Sequence, residues 1–187
     1  MSREQFSEWM QDAIVVLPQS VKAMLRIVDD PDLPDEGRAS AAGALLHWLS
    51  ASNTIPGVRG GALALVDDVL VMRLVCERLC EQAPEAMTRH LADSPELLGN
   101  LAEDLKSARG YLLGVIGLLD KVIAQVSRFK HKGHTAEQCV RDEDASNWLY
   151  DEVQAALVDV DMEPEAVARE LKRMDSVIAP LRQRLPG

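Results

Sequence analysis

Apolar side chains recur every three or four residues along almost the whole chain, and no sustained alternation bounded by turns interrupts them. The pattern predicts helices and almost no strand. The first runs from about Arg3 to Leu17: Ser2 and Gln5 form a capping box, Phe6, Met10, Ala13 and Leu17 share a face, and Pro18 stops it. A second covers about Gln19 to Asp29, with Val21, Leu25 and Val28 inward. After the Pro- and Asp-rich turn at 29–35, a third is expected from Asp35 to Leu49, small-faced at Ala39 and Ala42 and bulky at Leu45, Leu46 and Leu49.

Ser50 to Gly60 is a loop broken by Pro56, Gly57 and Gly60. From Gly61 to Gln82 the pattern predicts a strongly apolar helix, stepping through Leu65, Val69, Met72, Cys76 and Leu79, with a first half so apolar all round that it should be central. Pro84 opens a short helix ending near Ala92. Ser94-Pro95-Glu96 reads as another helix start. From Leu98 to Phe129 apolar residues then alternate by three and four without a break: Leu98, Leu101, Leu105, Ala108, Leu112, Val115, Leu119, Val122, Val126 and Phe129. One continuous helix of about 35 residues from Pro95 to Phe129 would be roughly 52 Å long. Its flanking positions are Tyr111, Ile116, Leu118 and Ile123, where a two-stranded coiled coil would carry charges, so the pattern predicts one long central helix in a bundle. Gly110, Gly114 and Gly117 would weaken it, allow close packing or mark a kink.

A break at His131–His134 is followed by a second capping box, Thr135 with Gln138, opening a helix to about Val160 whose Leu149, Val153, Ala156 and Val160 face inward. The last helix begins around Asp161 to Glu165, places Val167, Leu171, Met174 and Ile178 on one face, and ends or kinks at Pro180. The expected architecture is an all-α bundle of about seven to eight helices. It is read as one domain, residues 1–187, with a sub-boundary near residue 93 dividing short N-terminal helices (1–93) from a long three-helix hairpin (94–187).

Composition sharpens this picture. The 187 residues are 47% hydrophobic and 27% charged, ordinary for a folded domain. A chain of this size buries about 70% of its unfolded surface and needs no metal or disulfide to fold. Its 30 acidic and 20 basic residues leave a net charge of −10, opposite to the basic surface a nucleic-acid binder needs; the local exception is Arg128, Lys130 and Lys132. Cys76, Cys80 and Cys139 form no CxxC pair and read as packing residues in a reducing compartment. The N-terminal segment has acidic residues where a signal peptide has basic ones, and the charge-free stretch Ala39–Val58 contains too many polar residues to span a bilayer well, so a cytoplasmic location is expected.

Two constellations have the residue types of chemistry. His131 and His134, near Glu137 and Cys139, are weak candidate metal ligands, because a zinc site needs three or four ligands in fixed geometry. The run Arg128-Phe-Lys-His-Lys-Gly-His reads better as a basic helix C-terminus that complements the helix dipole, and no metal or other cofactor is expected. Asp67 and Asp68 interrupt an apolar helix; pointing about 100° apart, at least one must find a cap, a basic partner or a polar loop. The expectation is that they hold the Ser50–Gly60 loop to the helix, since backbone N–H groups there suit a carboxylate. His47 on the third helix reads as a packed or hydrogen-bonded side chain.

The stretch Gly43 to Leu79 resembles the YkvA-like family of small bacterial helical domains. The likeness lies in an apolar helix, the loop Ser50-Ala-Ser-Asn-Thr-Ile-Pro-Gly57, and an apolar helix carrying Asp67-Asp68. Ser50, Ile55, Pro56, Asp67 and Asp68 match the family pattern by position. Asn53 and Gly57 stand where the family has Asp, Ala51 where it has Pro, and the Gly-Tyr before the Asp pair is absent. The resemblance implies a helical domain of unassigned activity. The leading functional expectation is a non-enzymatic helical module that binds a protein partner or itself. The alternatives are a small-ligand binder or enzyme using Asp67, Asp68, Asn53 and His47, and a peripheral membrane factor using residues 39–58.

Overall fold

The structure is a computed structural model that describes residues 2–58, 60–158, 160 and 163–185. It is an all-α bundle. The helices are α1 (Arg3–Val15), α2 (Leu17–Asp29), α3 (Asp35–Leu49), α4 (Gly61–Gln82), α5 (Pro84–Asp93), α6 (Pro95–Leu98), α7 (Leu101–Leu112), α8 (Ile116–Ile123), α9 (Ala136–Arg141), α10 (Glu143–Leu157), α11 (Pro164–Leu171) and α12 (Met174–Arg184). A two-residue hairpin, β1 (Lys130–His131) and β2 (His134–Thr135), is the only sheet among the described residues.

Both capping boxes form: Ser2 with Gln5 opens α1, and Thr135 with Gln138 opens α9. Pro18 does not merely stop α1. The chain turns at Val16, and Pro18 sits in the first turn of α2, where its missing N–H costs no bond. The central element is α4, which packs against α1, α3, α5, α7, α8 and α11. It runs antiparallel to α3: Gly37 at the start of α3 abuts Leu79 near the end of α4, while His47 late in α3 meets Asp68 early in α4. One contiguous apolar core extends from Phe6 to Ile178.

The expected continuous helix over 95–129 is corrected. The chain divides into α6, α7, a 3₁₀ turn at 113–115, α8 and a second 3₁₀ turn at 126–128. The inward face survives the breaks: Leu98, Leu101, Leu105, Ala108, Leu112, Val115, Leu119 and Val126 are all buried. A compact chain of this length has a radius of gyration of about 16 Å, so a 52 Å rod would project its apolar belt into water. The chain instead turns at Gly99–Asn100 and at Leu113, whose φ of 51° is unusual for a β-substituted residue. Short helices wrap the core where one long helix would leave it.

Three further boundaries differ from expectation. The helix opened by Thr135 ends at Arg141, because the Asp142 carboxylate accepts the Ala145 N–H (2.9 Å) and starts α10 afresh. The last helix is two, α11 and α12, and Pro180 lies within α12; the expected start at Asp161 falls outside the described residues, and α11 begins at Pro164. The segment around His131 and His134 is no basic helix C-terminus. Lys132 and Gly133 both adopt positive φ (45° and 94°), the geometry of a tight two-residue hairpin turn, which pairs His131 with His134.

Candidate functional site

The Ser50–Gly60 loop joins α3 to α4, and the polar residues singled out in the sequence converge beneath it. His47, one turn from the end of α3, is 1% exposed. Its Nδ1 lies 2.8 Å from Oδ1 of Asp68, itself 3% exposed on α4. The Nδ1–H of His47 donates to the Asp68 carboxylate, and Nε2 pairs with the Thr54 hydroxyl at 3.3 Å. Asp67, fully buried, turns the other way: one of its oxygens accepts the backbone N–H groups of both Thr54 and Ile55. Asn53 Nδ2 donates to the Ala64 carbonyl at 3.0 Å. The adjacent aspartates thus serve two neighbours, as their angular separation on one helix requires.

The rest of the loop is equally tied down. Ser50 Oγ donates to the His47 carbonyl (2.7 Å) and bonds Ser52 Oγ (2.8 Å). Ile55 and Val58 are buried, anchoring the loop in the core. The start of α4 has no side-chain cap of its own, because Gly60 stands at the cap position; Glu170 of α11 supplies it, its carboxylate accepting the Ala62 N–H at 2.6 Å. Nothing in the sequence signalled Glu170, which lies 108 residues from Ala62. Thr54 was equally silent, although it sits inside the family-like loop. Phe129 closes the far side, its ring 5.7 Å from that of His47.

Burial sets the electrostatics. It pushes the Asp67 carboxyl up to about 6, opposed by the two loop N–H groups and by His47 and reinforced by Asp68. Asp68 is also raised by burial, against the hydrogen bond and charge of His47. The second oxygen of Asp67 is buried without a hydrogen-bond partner, which adds to the cost of ionising it.

Asp68, His47 and Thr54 are connected in the order of a carboxylate–imidazole–hydroxyl relay, which activates a nucleophile in acyl-transfer enzymes. The second requirement of that chemistry is a pair of N–H donors aimed at the developing oxyanion. Here the N–H groups of Thr54 and Ile55, nearest the hydroxyl, are bound to the Asp67 carboxylate, whose charge would oppose an oxyanion. Clefts among the described residues include one of about 640 Å³ beside Asp32, Pro84 and Arg89, and one of about 420 Å³ beside Lys121, Arg128 and Phe129.

The two histidines of the hairpin lie apart from this cluster. The His134 ring stacks on Trp148 (centroids 4.1 Å apart, 13° between planes), and His131 meets the same indole at 6.4 Å. Among the described residues no group of three or more His, Cys, Asp or Glu side chains is arranged to hold a metal. Cys76 and Cys139 are buried and Cys80 half-buried, all three as free thiols, and burial raises the Cys139 thiol to about 11. A buried charge the sequence reading passed over is Arg73 of α4. It donates to the Glu96 and Leu97 carbonyls and to Asp104, tying α4 to α6 and α7, and its guanidinium lies 5.2 Å from the Trp9 ring.

Comparison with protein-family models, with curated proteins and with solved structures finds no match to this chain. The functional reading therefore rests on the geometry.

Proposed function

We propose that the protein is a non-enzymatic helical interaction module whose His47, Asn53, Asp67 and Asp68 clamp the α3–α4 loop to the core. The observation that carries this reading is the partner set of Asp67: its carboxylate holds the two backbone N–H groups that a catalytic Thr54 would need free. Buried carboxylates bonded to loop amides stabilise a shape, and a fixed shape with an acidic surface serves recognition. The positions at which Gly43–Leu79 resembles the YkvA-like domains support the same view, since Ser50, Ile55, Asp67 and Asp68 are among those that tie or anchor this loop. The charge-poor stretch 39–58 does not favour the membrane alternative: Ala39, Ala41 to Leu46, Trp48, Ile55 and Val58 are consumed by the core. No helix among the described residues is long and apolar enough to cross a membrane.

The specific observation favouring the enzyme or ligand reading is the Asp68–His47–Thr54 connection itself. Cross-linking with mass spectrometry, using the tagged full chain in lysate of its own cells, separates the two. The interaction reading expects a defined protein partner, captured equally by wild type and by Thr54→Val. Hydrolysis of activated esters by wild type that Thr54→Val abolishes, with the thermal midpoint unchanged, would overturn it.

A further inference from the structure

The cleft beside α8 differs from the rest of this acidic molecule. Lys121 and Val122 of α8, Gln125, Arg128 and Phe129 line about 420 Å³. Val122 and Phe129 are half-buried and form an apolar floor; Lys121, Gln125 and Arg128 are exposed around it. No carboxylate lines the cleft, although acidic residues outnumber basic ones 30 to 20 in the chain. Among the described residues neither Lys121 nor Arg128 has an ion-pair or hydrogen-bond partner for its side chain, a state they share with other surface cations such as Lys22 and Lys130, but here the two line one cleft.

The floor is held in place from behind. The Phe129 carbonyl accepts the Ala136 N–H at 2.9 Å, and the Phe129 ring rests against His47. Val126 is pressed so closely on α3 that a Cβ at Gly43 would stand 1.8 Å from its carbonyl oxygen. An apolar floor held from behind lowers the ordering cost of a ligand to that of fixing the two exposed cations.

Resting on the interaction-module reading, we propose that this cleft docks an acidic peptide segment that places an apolar side chain on Val122 and Phe129 and its carboxylates against Lys121 and Arg128. Charge complementarity selects this occupant. A nucleic acid presents phosphates along an extended backbone and draws its affinity from many cations at once; here two cations stand in a molecule of net charge −10. Two carboxylates flanking one apolar group match the two cations and the apolar floor that line the cleft.

The test is an amide-resolved NMR titration of the full chain with synthetic, end-blocked peptides: a Leu-Phe pair flanked by Glu, the same pair flanked by Lys, and a Ser-Ser pair flanked by Glu. A short oligothymidylate serves as the nucleic-acid arm. The Glu-flanked Leu-Phe peptide is expected to shift the amides of Val122, Gln125 and Phe129, to weaken as salt is raised, and to bind at least tenfold more weakly to Lys121→Glu/Arg128→Glu, with the milder Arg128→Ala intermediate. Both variants should melt with wild type. Absence of binding, shifts centred elsewhere, equal binding of the Lys-flanked or Ser-Ser peptide, or tighter binding of oligothymidylate would each overturn the proposal. The double variant in the cross-linking experiment keeps the two readings apart. A partner retained by that variant overturns the cleft and leaves the module reading standing; absence of any defined partner overturns the module reading, while the peptide titration decides the cleft by itself.

Discussion

Asp67 is fully buried, holds two loop N–H groups and titrates at about 6, where an ordinary Asp titrates at 3.8. The folded protein binds this proton more tightly than the unfolded chain does. The contribution to stability is therefore fully present below about pH 4 and is lost as the pH rises through about 6, a change of about 3 kcal/mol. Denaturant unfolding of wild type and Asp67→Asn at pH 4 and pH 7.5 isolates it: the variant should gain on wild type by about 2–3 kcal/mol at the higher pH, because Asn never ionises. At pH 4, where the wild-type side chain is neutral, Asp67→Ala should cost about 1–3 kcal/mol by leaving the Thr54 and Ile55 N–H groups without an acceptor. The His47–Asp68 pair is expected to behave differently. Removing either partner strands the other in the core at a cost of about 3–5 kcal/mol, so a double-mutant cycle with His47→Leu and Asp68→Leu should show the two losses to be strongly non-additive.

Helix boundaries here follow close approaches that a single helix cannot announce. Gly43 in α3 has no room for a methyl group, since its Cβ would collide with the backbone of the turn at 126–128. Gly110 in α7 and Gly117 in α8 have nothing within 4 Å of theirs. Gly43→Ala is thus expected to destabilise by about 1–3 kcal/mol through overpacking, while Gly110→Ala and Gly117→Ala each stabilise by up to about 1 kcal/mol through helix propensity. Thermal melts of the three variants check both signs. The fragmentation of residues 95–129 does not excuse its core positions. Leu112 and Leu119 are wholly buried, and Leu112→Ala or Leu119→Ala should each cost about 2–5 kcal/mol; a denaturation midpoint unmoved by either would contradict their placement.

Across the whole molecule, long-range contacts close the bundle, and one of them reaches α4 from α11. The Glu170 carboxylate caps α4 from α11, in a position where a Cβ on Gly61 would also collide with it. Four buried side chains, Val167, Leu171, Met174 and Ile178, hold α11 and α12 to the core. Glu170→Ala should cost about 1 kcal/mol, as loss of a helix cap does. It should also raise amide exchange locally, at Ala62 and through residues 164–184, more than in α3. Uniform acceleration across all helices would place the effect in global stability and not in this cap.

Much of the element pattern was legible in the sequence because it depends on neighbours in the chain. The two capping boxes, the bounds of α3 and α4, and the inward faces of α1, α2 and α12 follow from contacts three or four residues apart, which periodicity records directly. The demand that Asp67 and Asp68 find partners was legible too, since burying a charge on an apolar helix has a known cost. Which partners they found was not: Thr54 and Ile55 for one and His47 for the other depend on how the loop folds back over α4. The same holds for the divided segment at 95–129 and for the hairpin at 130–135. An apolar stripe reads identically whether its helix is continuous or bends around a core, because periodicity reports which side chains are buried and not the path of the axis. That path was decided by the compactness of the packed chain, by the carbonyl of Val126 against Gly43 and by Glu170 reaching α4, contacts separated by up to 108 residues that no local pattern encodes.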